Sequence, residues 1–327
     1  MRMRQNIWAI VLAAGNGTRL SSISTDNHGA VVPKQYCSLR GGYSLLQVAL
    51  DRARRVVPSA RVCAVVARLH KLYWRSTLSA LPARNVLIEP RNRGTAIGVL
   101  YGVLRVLERD PHAHIIFLPA DHYVGNEKSL TDAIRTAVNR LSHARENLLM
   151  IGIKPDEVDS DLGYILPGDA TDDGIYNVAQ FVEKPSIKVA RELLSRGALW
   201  NSFIFAAHAA TLMDFFRARL NDIVDGMTLA LARDRRHSQE TPALEAFYER
   251  LPTVDFSRCV LEQAASSLRV LAAPACGWRD IGTPSRVASV LERLRPNITN
   301  QPAPVSTQRV AAPINLATQL ARLSSAS

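Results

Sequence analysis

The chain has 327 residues, 47% of them hydrophobic and 21% charged, with a formal net charge of +11. That is enough to bury a substantial core, as one large α/β domain or two modest ones, and the composition is ordinary for a soluble globular protein. The positive balance suits polyanions. However, Lys and Arg are dispersed, with only short clusters such as Arg233-Asp234-Arg235-Arg236, and neither an RNA-binding signature nor a zinc-finger spacing accompanies them. Small phosphorylated ligands are therefore expected rather than nucleic acid. Cys37, Cys63, Cys259 and Cys276 are far apart and form no CxxC pair, which argues against a zinc site or a disulfide framework and for a reducing compartment. The basic N-terminus leads into an apolar stretch that a cleaved signal would discard together with the loop after it, and no run has transmembrane length. The expected location is cytoplasmic, with no membrane partner.

Taken in chain order, 7–12 is an apolar, β-branched run that predicts a buried strand. It empties into Ala13-Ala14-Gly15-Asn16-Gly17-Thr18-Arg19, and Pro33-Lys34 follows fifteen positions later. Helical spacing with terminal cations marks 44–55, ended by Pro58, and a strand is expected at 61–67. A helix over 71–81, stopped by Pro82, a strand at 86–88 and a helix over 95–108 come next. The strand 114–118 ends on Pro119-Ala120-Asp121-His122, and a helix over 128–141 precedes a strand at 148–151. Alternating strands and helices predict an α/β, Rossmann-like, doubly wound and mostly parallel sheet, with ligands at the carboxyl ends of the strands.

The second half is less regular. Strands are expected at 164–167 and 176–183, around an Asp/Gly turn at 169–174. Ser186 caps a helix to Arg196, with Gly197 as its stop. A short strand at 202–206, helices between 209 and 250, a strand at 269–272 and a helix over 285–294 complete the body. From Arg295 onward Pro, Ser, Thr, Asn, Gln and Ala dominate. The expectation is a domain over 1–295 with a sugar-binding subregion in its second half, and a flexible or peripherally docked tail over 296–327. A short helix at 314–323 is allowed for, and removal of the tail is expected to leave activity largely unchanged.

Single features decide little. Small residues after a strand let backbone amides approach phosphates, and flanking cations neutralise them. Yet this loop has neither the P-loop spacing nor GxGxxG, so alone it reads equally well as a turn. Asp121 by itself is a helix cap, Glu183-Lys184 a surface ion pair, Trp200 and Trp278 packing residues, and His122 a satisfied histidine. The ordered set changes this reading. It comprises LAAGNGTRL, PKQY, Glu89-Pro90-Arg91-Asn92-Arg93-Gly94-Thr95-Ala96, FLPADH, Gly163-Tyr164-Ile165, FVEKP, WNSFIF and WRDIG.

With these motifs the chain resembles the sugar-phosphate nucleotidyltransferases over about 7–294, and within them the mannose-1-phosphate guanylyltransferases. The resemblance implies attack of a sugar 1-phosphate on the α-phosphorus of a nucleoside triphosphate, GTP and mannose 1-phosphate being favoured, with release of pyrophosphate. It also implies Mg²⁺ at Asp121 and Asp280, a phosphate cradle of Gly15, Gly17 and Thr18, and a base and ribose border of Leu12, Ala13 and Ala14, with Thr95 also on the nucleotide side. Arg19 would hold the leaving pyrophosphate, and Lys34 the reacting phosphates. Lys184 would bind the sugar phosphate, Glu183 and Asn201 its hydroxyls, and Gly163 would let the backbone approach the sugar. A homodimer is compatible with the resemblance.

Alternatives are a uridylyl-, thymidylyl- or cytidylyltransferase on glucose 1-phosphate or another sugar phosphate, and a non-catalytic sugar-nucleotide-binding regulator. The bifunctional relatives' extra sugar-isomerase domain is not expected. Four departures from the family pattern stand out. The spacer 20–32 is longer than usual, Gly94 stands where Asn is usual, and Phe203 stands where Gly is common. Ser257-Arg258 replaces an Asp-Tyr pair before Glu262.

Overall fold

The computed structural model of the protein describes residues 6–141, 147–171, 174–235, 241–294 and 313–326. Its strands are β1 (Ile7–Ala13), β2 (Val62–Ala67), β3 (Val86–Glu89), β4 (His114–Pro119), β5 (His122–Tyr123), β6 (Leu148–Ile153), β7 (Gly163–Ala170), β8 (Ile175–Glu183), β9 (Leu199–His208), β10 (Leu268–Ala272) and β11 (Arg279–Asp280). Nine form one sheet in the order β3-β2-β1-β4-β9-β6-β10-β8-β7, while β5 and β11 make a separate antiparallel pair. Strands β3, β2, β1 and β4 are parallel, as are β6 and β10. Strand β9 runs antiparallel between β4 and β6, and β7 and β8 extend the sheet as an antiparallel flank.

The sheet is covered on both faces, which is why β1 is apolar along its length. Ala9, Val11 and Ala13 point into one core, with Leu46, Ala49 and Leu50 of the helix Leu45–Arg54 and Leu130 and Ile134 of the helix Glu127–Leu141. Trp8 and Ile10 point into the other, with Ile97, Leu100 and Leu104 of the helix Thr95–Leu107 and Leu212 and Phe216 of the helix Ala209–Asp234. Ser44 starts the first of these helices with a reciprocal capping box to Gln47. A buried ion pair, Arg52 to Glu127, joins the two helices of the first core by two parallel hydrogen bonds of 2.9 and 2.7 Å.

Two expectations change. The helix over 71–81 stops at Trp74 and continues as turns to Leu81: Trp74, Leu78 and Leu81 are buried and Tyr73 packs against the same core, while Leu69 and Leu72 stay exposed. The strand at 202–206 is the longer β9, buried at the centre of the sheet. The tail, for which the sequence allows a short helix at 314–323 and peripheral docking, forms a helix, Leu316–Ala326, that docks on the loop after Lys34. There Ser38 donates its N–H to the Ile314 carbonyl, the Ser38 carbonyl accepts from Leu316 N–H, and Leu316 is fully buried. Positions 172 and 173 of the expected Asp/Gly turn, and 295–312 of the tail, lie outside the described residues.

Candidate active site

The carboxyl ends of β1, β3 and β4 face the flank formed by β7, β8 and β9, and a cleft of about 420 Å³ opens between them. The loop after β1 forms one wall through Leu12, Ala13, Ala14, Gly15 and Arg19. The opposite wall carries Gly163, Glu183, Lys184 and Asn201, and the floor carries Asp121 and Asp280, with Thr95 also lining. Gly17, Thr18 and Lys34 are not lining residues. Gly17 takes φ +61° and opens the 3₁₀ turn Thr18–Leu20, and a Cβ there would stand 2.8 Å from the Lys34 backbone nitrogen. Its absence lets the loop close on the segment that carries Lys34.

Lys34 is the electrostatic centre. Its Nζ lies 3.1 Å from Asp121 Oδ2 and 3.2 Å from Asp280 Oδ1, and its side chain is 6% exposed. The two carboxylates meet because β11 pairs with β5, placing Asp280 opposite His122, directly after Asp121. Burial works against the Lys34 charge, but the flanking carboxylates outweigh it and raise its pKa. Burial likewise opposes ionisation of Asp121, yet Lys34 and His122 bring it down to about 2, and Asp280 moves in the same direction for the same reasons. All three groups are therefore charged near neutrality. Among the described residues no cluster of three or more His, Cys, Asp or Glu forms a closed metal cage.

On the flank, β7 and β8 pair Gly163 with Glu183, and a Cβ on Gly163 would fall 2.5 Å from Glu183 Oε2. Glu262 supports this corner by accepting the Glu183 N–H at 2.6 Å. Burial first and Asp255 second raise the Glu183 pKa, while Lys184, 3.6 Å away, works against the rise. Asn201 uses its side-chain oxygen to hold Phe203 N–H at 2.9 Å. Lys184 and Phe203 are the two described non-glycine residues at positive φ, +51° and +56°. Such backbone costs on the order of 1–3 kcal/mol and is held here by the surrounding sheet. Phe203 thus adopts the conformation a glycine would take, and its ring stacks edge-on against Phe205 and Phe256.

Two supporting residues, Gln35 and Asn92, lie in the quoted motifs, but the sequence assigns them no role of their own. Gln35 Nε2 donates to the carbonyls of Ala13 and Gly15 at 2.9 and 2.8 Å, and Asn92 donates to that of Ala14 at 3.1 Å, so two side chains fix the loop's shape. The Thr95 hydroxyl accepts from Phe256 N–H at 2.8 Å, which ties it to its neighbour loop even as it lines the cleft. His122 lies 3.6 Å from Asp121 and edge-on to buried Trp278. The long spacer is folded rather than loose: Asp26 accepts from His28 and Ala30 N–H, Thr25 bridges Val31, and Leu20 and Ile23 are buried. At Gly94, φ is +89° and a Cβ would stand 2.3 Å from the Val254 carbonyl oxygen, so the chain's own backbone fills the space where a side chain would stand.

A sheet of this order, with a glycine-rich loop, a lysine and two carboxylates gathered at its strand ends, defines the nucleotide-diphospho-sugar transferase class of fold. The chain belongs to the nucleotidyl transferase family, whose model matches residues 8–295. It is similar to the alginate biosynthesis protein AlgA of Pseudomonas putida, 29% identical over 87% of this chain and 58% of that protein. It is also similar to the mannose-1-phosphate guanylyltransferase ManC of Salmonella typhimurium, 28% identical over 86% of this chain and 59% of that protein. The chain therefore spans somewhat under three-fifths of the length of both curated relatives. Among solved structures, the one described as mannose-1-phosphate geranyltransferase from Thermus thermophilus matches with a TM-score of 0.74. It is 30% identical over 87% of this chain and 80% of that one.

Proposed function

We propose that the chain forms a nucleoside-diphosphate sugar from a nucleoside triphosphate and a sugar 1-phosphate, with release of pyrophosphate, and that GTP and mannose 1-phosphate are its substrates. The observation that carries this reading is the Lys34 ammonium clasped between Asp121 and Asp280 at the mouth of the glycine-rich loop. The similarity to a mannose-1-phosphate guanylyltransferase supports the choice of substrates.

The nucleophile is a phosphate oxygen of the sugar 1-phosphate, already ionised near neutrality, so no side chain has to remove a proton from it. Its bond to the α-phosphorus forms as the bond from that phosphorus to the bridging oxygen breaks, and the electron pair leaves with pyrophosphate. The protein's work is to align two polyanions and offset the charge that spreads over the phosphoryl oxygens. Gly15 borders the triphosphate, with Gly17 and Thr18 closing the loop behind it, Arg19 faces the departing pyrophosphate, and Lys34 offsets charge from behind Asp121 and Asp280. Lys184 binds the sugar phosphate, while Glu183 and the Asn201 amide hydrogens meet sugar hydroxyls. Asp121 and Asp280 suit a divalent cation: the site already binds a cation, Lys34 Nζ, through one oxygen of each. Two carboxylates completed by phosphate oxygens and water are a donor set that fits Mg²⁺. Bound there, Mg²⁺ would supply further charge neutralisation on the phosphates.

Pyrophosphate release is measured for GTP, UTP, dTTP, CTP and ATP against mannose, glucose and other common sugar 1-phosphates, with and without Mg²⁺. The reading expects turnover that needs both substrates and the metal and is highest for GTP with mannose 1-phosphate. A chain that turns over no pair is a binding protein, and a preference for another pair corrects the substrates alone.

A further inference from the structure

The Asp280 carboxylate has both oxygens engaged. Oδ1 faces Lys34 at 3.2 Å, and Oδ2 accepts from Arg286 Nη1 at 2.7 Å. Arg286 belongs to none of the motifs that carry the family resemblance. It sits in the first turn of the helix Pro284–Arg293, whose start is fixed by Pro284 and by the Thr283 side chain accepting the Arg286 N–H. The other guanidinium nitrogen, Nη2, is bound by Asp159 and lies 3.4 Å from Asp161. Asp161 in turn pairs with Arg19 at 3.4 Å, and Asp159 donates its N–H to the Tyr164 hydroxyl at 3.0 Å. One guanidinium therefore joins β11, the segment that leads into Gly163, and through Asp161 the arginine of the glycine-rich loop.

The side chains of Arg286, Asp280 and Asp159 are 19%, 11% and 13% exposed. Pairs this sheltered are screened far less than surface pairs. Both terminal nitrogens of Arg286 are spent on carboxylates, and the side chain does not line the cleft, so it acts through Asp280 rather than on a phosphate.

We propose that Arg286 is a positioning residue for the metal-binding carboxylate, an inference that rests on the reaction assigned above. A free carboxylate rotates and presents either oxygen. With Oδ2 held by Arg286, Asp280 presents Oδ1 toward Lys34 and Asp121, where a cation and the phosphates meet. The forked guanidinium reaches Asp280 and Asp159 together, whereas a lysine ammonium is a point charge that cannot reproduce that planar bridge. Outer partners of this kind typically change metal affinity or activity by 10–100-fold when removed.

The test compares wild type with R286A, R286Q and R286K. Half-activating Mg²⁺ is read from pyrophosphate release. Mn²⁺ binding, with GTP at fixed concentration, is read from water-proton relaxation, which does not depend on turnover. R286A and R286Q are expected to need about 10–100-fold more metal and to bind Mn²⁺ correspondingly more weakly. R286K should fall between them and wild type, and KM for the sugar phosphate should stay close to the wild-type value. If R286A does not accumulate as folded protein, R286Q and R286K decide. Wild-type metal activation and Mn²⁺ binding in both overturns the inference, whatever their melting temperatures. If wild type releases no pyrophosphate, the assigned reaction falls, and Mn²⁺ binding by wild type and R286Q decides the role of Arg286 by itself.

Discussion

Glu89 closes β3 at the back of the cleft with 2% exposure, and the Tyr248 hydroxyl donates to its Oε1 at 3.0 Å. Burial raises its pKa from 4.5 to about 8, and the hydrogen bond from Tyr248 offsets only part of that rise. Between those two values the folded chain holds a proton that the unfolded chain has lost. Stability from this group is thus complete below the unfolded value, declines as pH rises through the window, and is lost above about 8. Each pH unit inside the window is worth about 1.4 kcal/mol, so a rise of roughly two units, from about pH 5.5 to about pH 7.5, removes about 3 kcal/mol. Glu89→Gln keeps the shape and the acceptor for Tyr248 but has nothing to titrate. Urea unfolding of both proteins at the two pH values should show the Gln variant gaining about 3 kcal/mol on wild type as pH rises. A gap that stays constant with pH would refute the argument, because Glu89 would then be ionised in the folded protein.

Gly94→Ala forces a Cβ against the Val254 carbonyl at a positive φ and should cost about 1–3 kcal/mol or more by calorimetry, with the Val254 loop displaced. Arg52→Ala leaves the Glu127 carboxylate unpaired beside the core. It should cost about 3–5 kcal/mol in denaturant unfolding, and adding Glu127→Ala should recover part of the loss. A chain ended after Leu294 loses the burial of Leu316 and the two backbone bonds to Ser38. It should unfold about 2–4 kcal/mol more easily, while the expectation that activity is largely unchanged is checked separately by assaying the same chain.

Much of the parallel half of the sheet is readable because burial on both faces leaves uninterrupted apolar runs, as in β1 and β2. Residues whose chemistry is local to a motif, such as Asp121 after β4 or Lys184 after β8, can be named from the sequence, and they gather at one cleft. Partners defined by long-range geometry cannot. Gln35 reaches back across the loop to Ala13 and Gly15, and Arg286 finds Asp159 over more than a hundred residues. Neither leaves a periodicity. Strand β9 reads too short from sequence because its first residues, Leu199 to Asn201, lie in a motif quoted for the site, while their backbone continues the ladder beside β6 and β7. The sequence allows for the tail helix at 314–323 but not for where it docks, because composition carries no information about the buried Leu316 socket.

In the reaction proposed above, the cleft joins a sugar 1-phosphate to the α-phosphate of a nucleotide. GTP radiolabelled at the α-phosphate, incubated with the protein, mannose 1-phosphate and Mg²⁺, tests it most directly. The label should pass into a sugar nucleotide as unlabelled pyrophosphate is released, and Asp280→Asn should slow both together. Label recovered only as GTP, or as GDP with free phosphate, would contradict it.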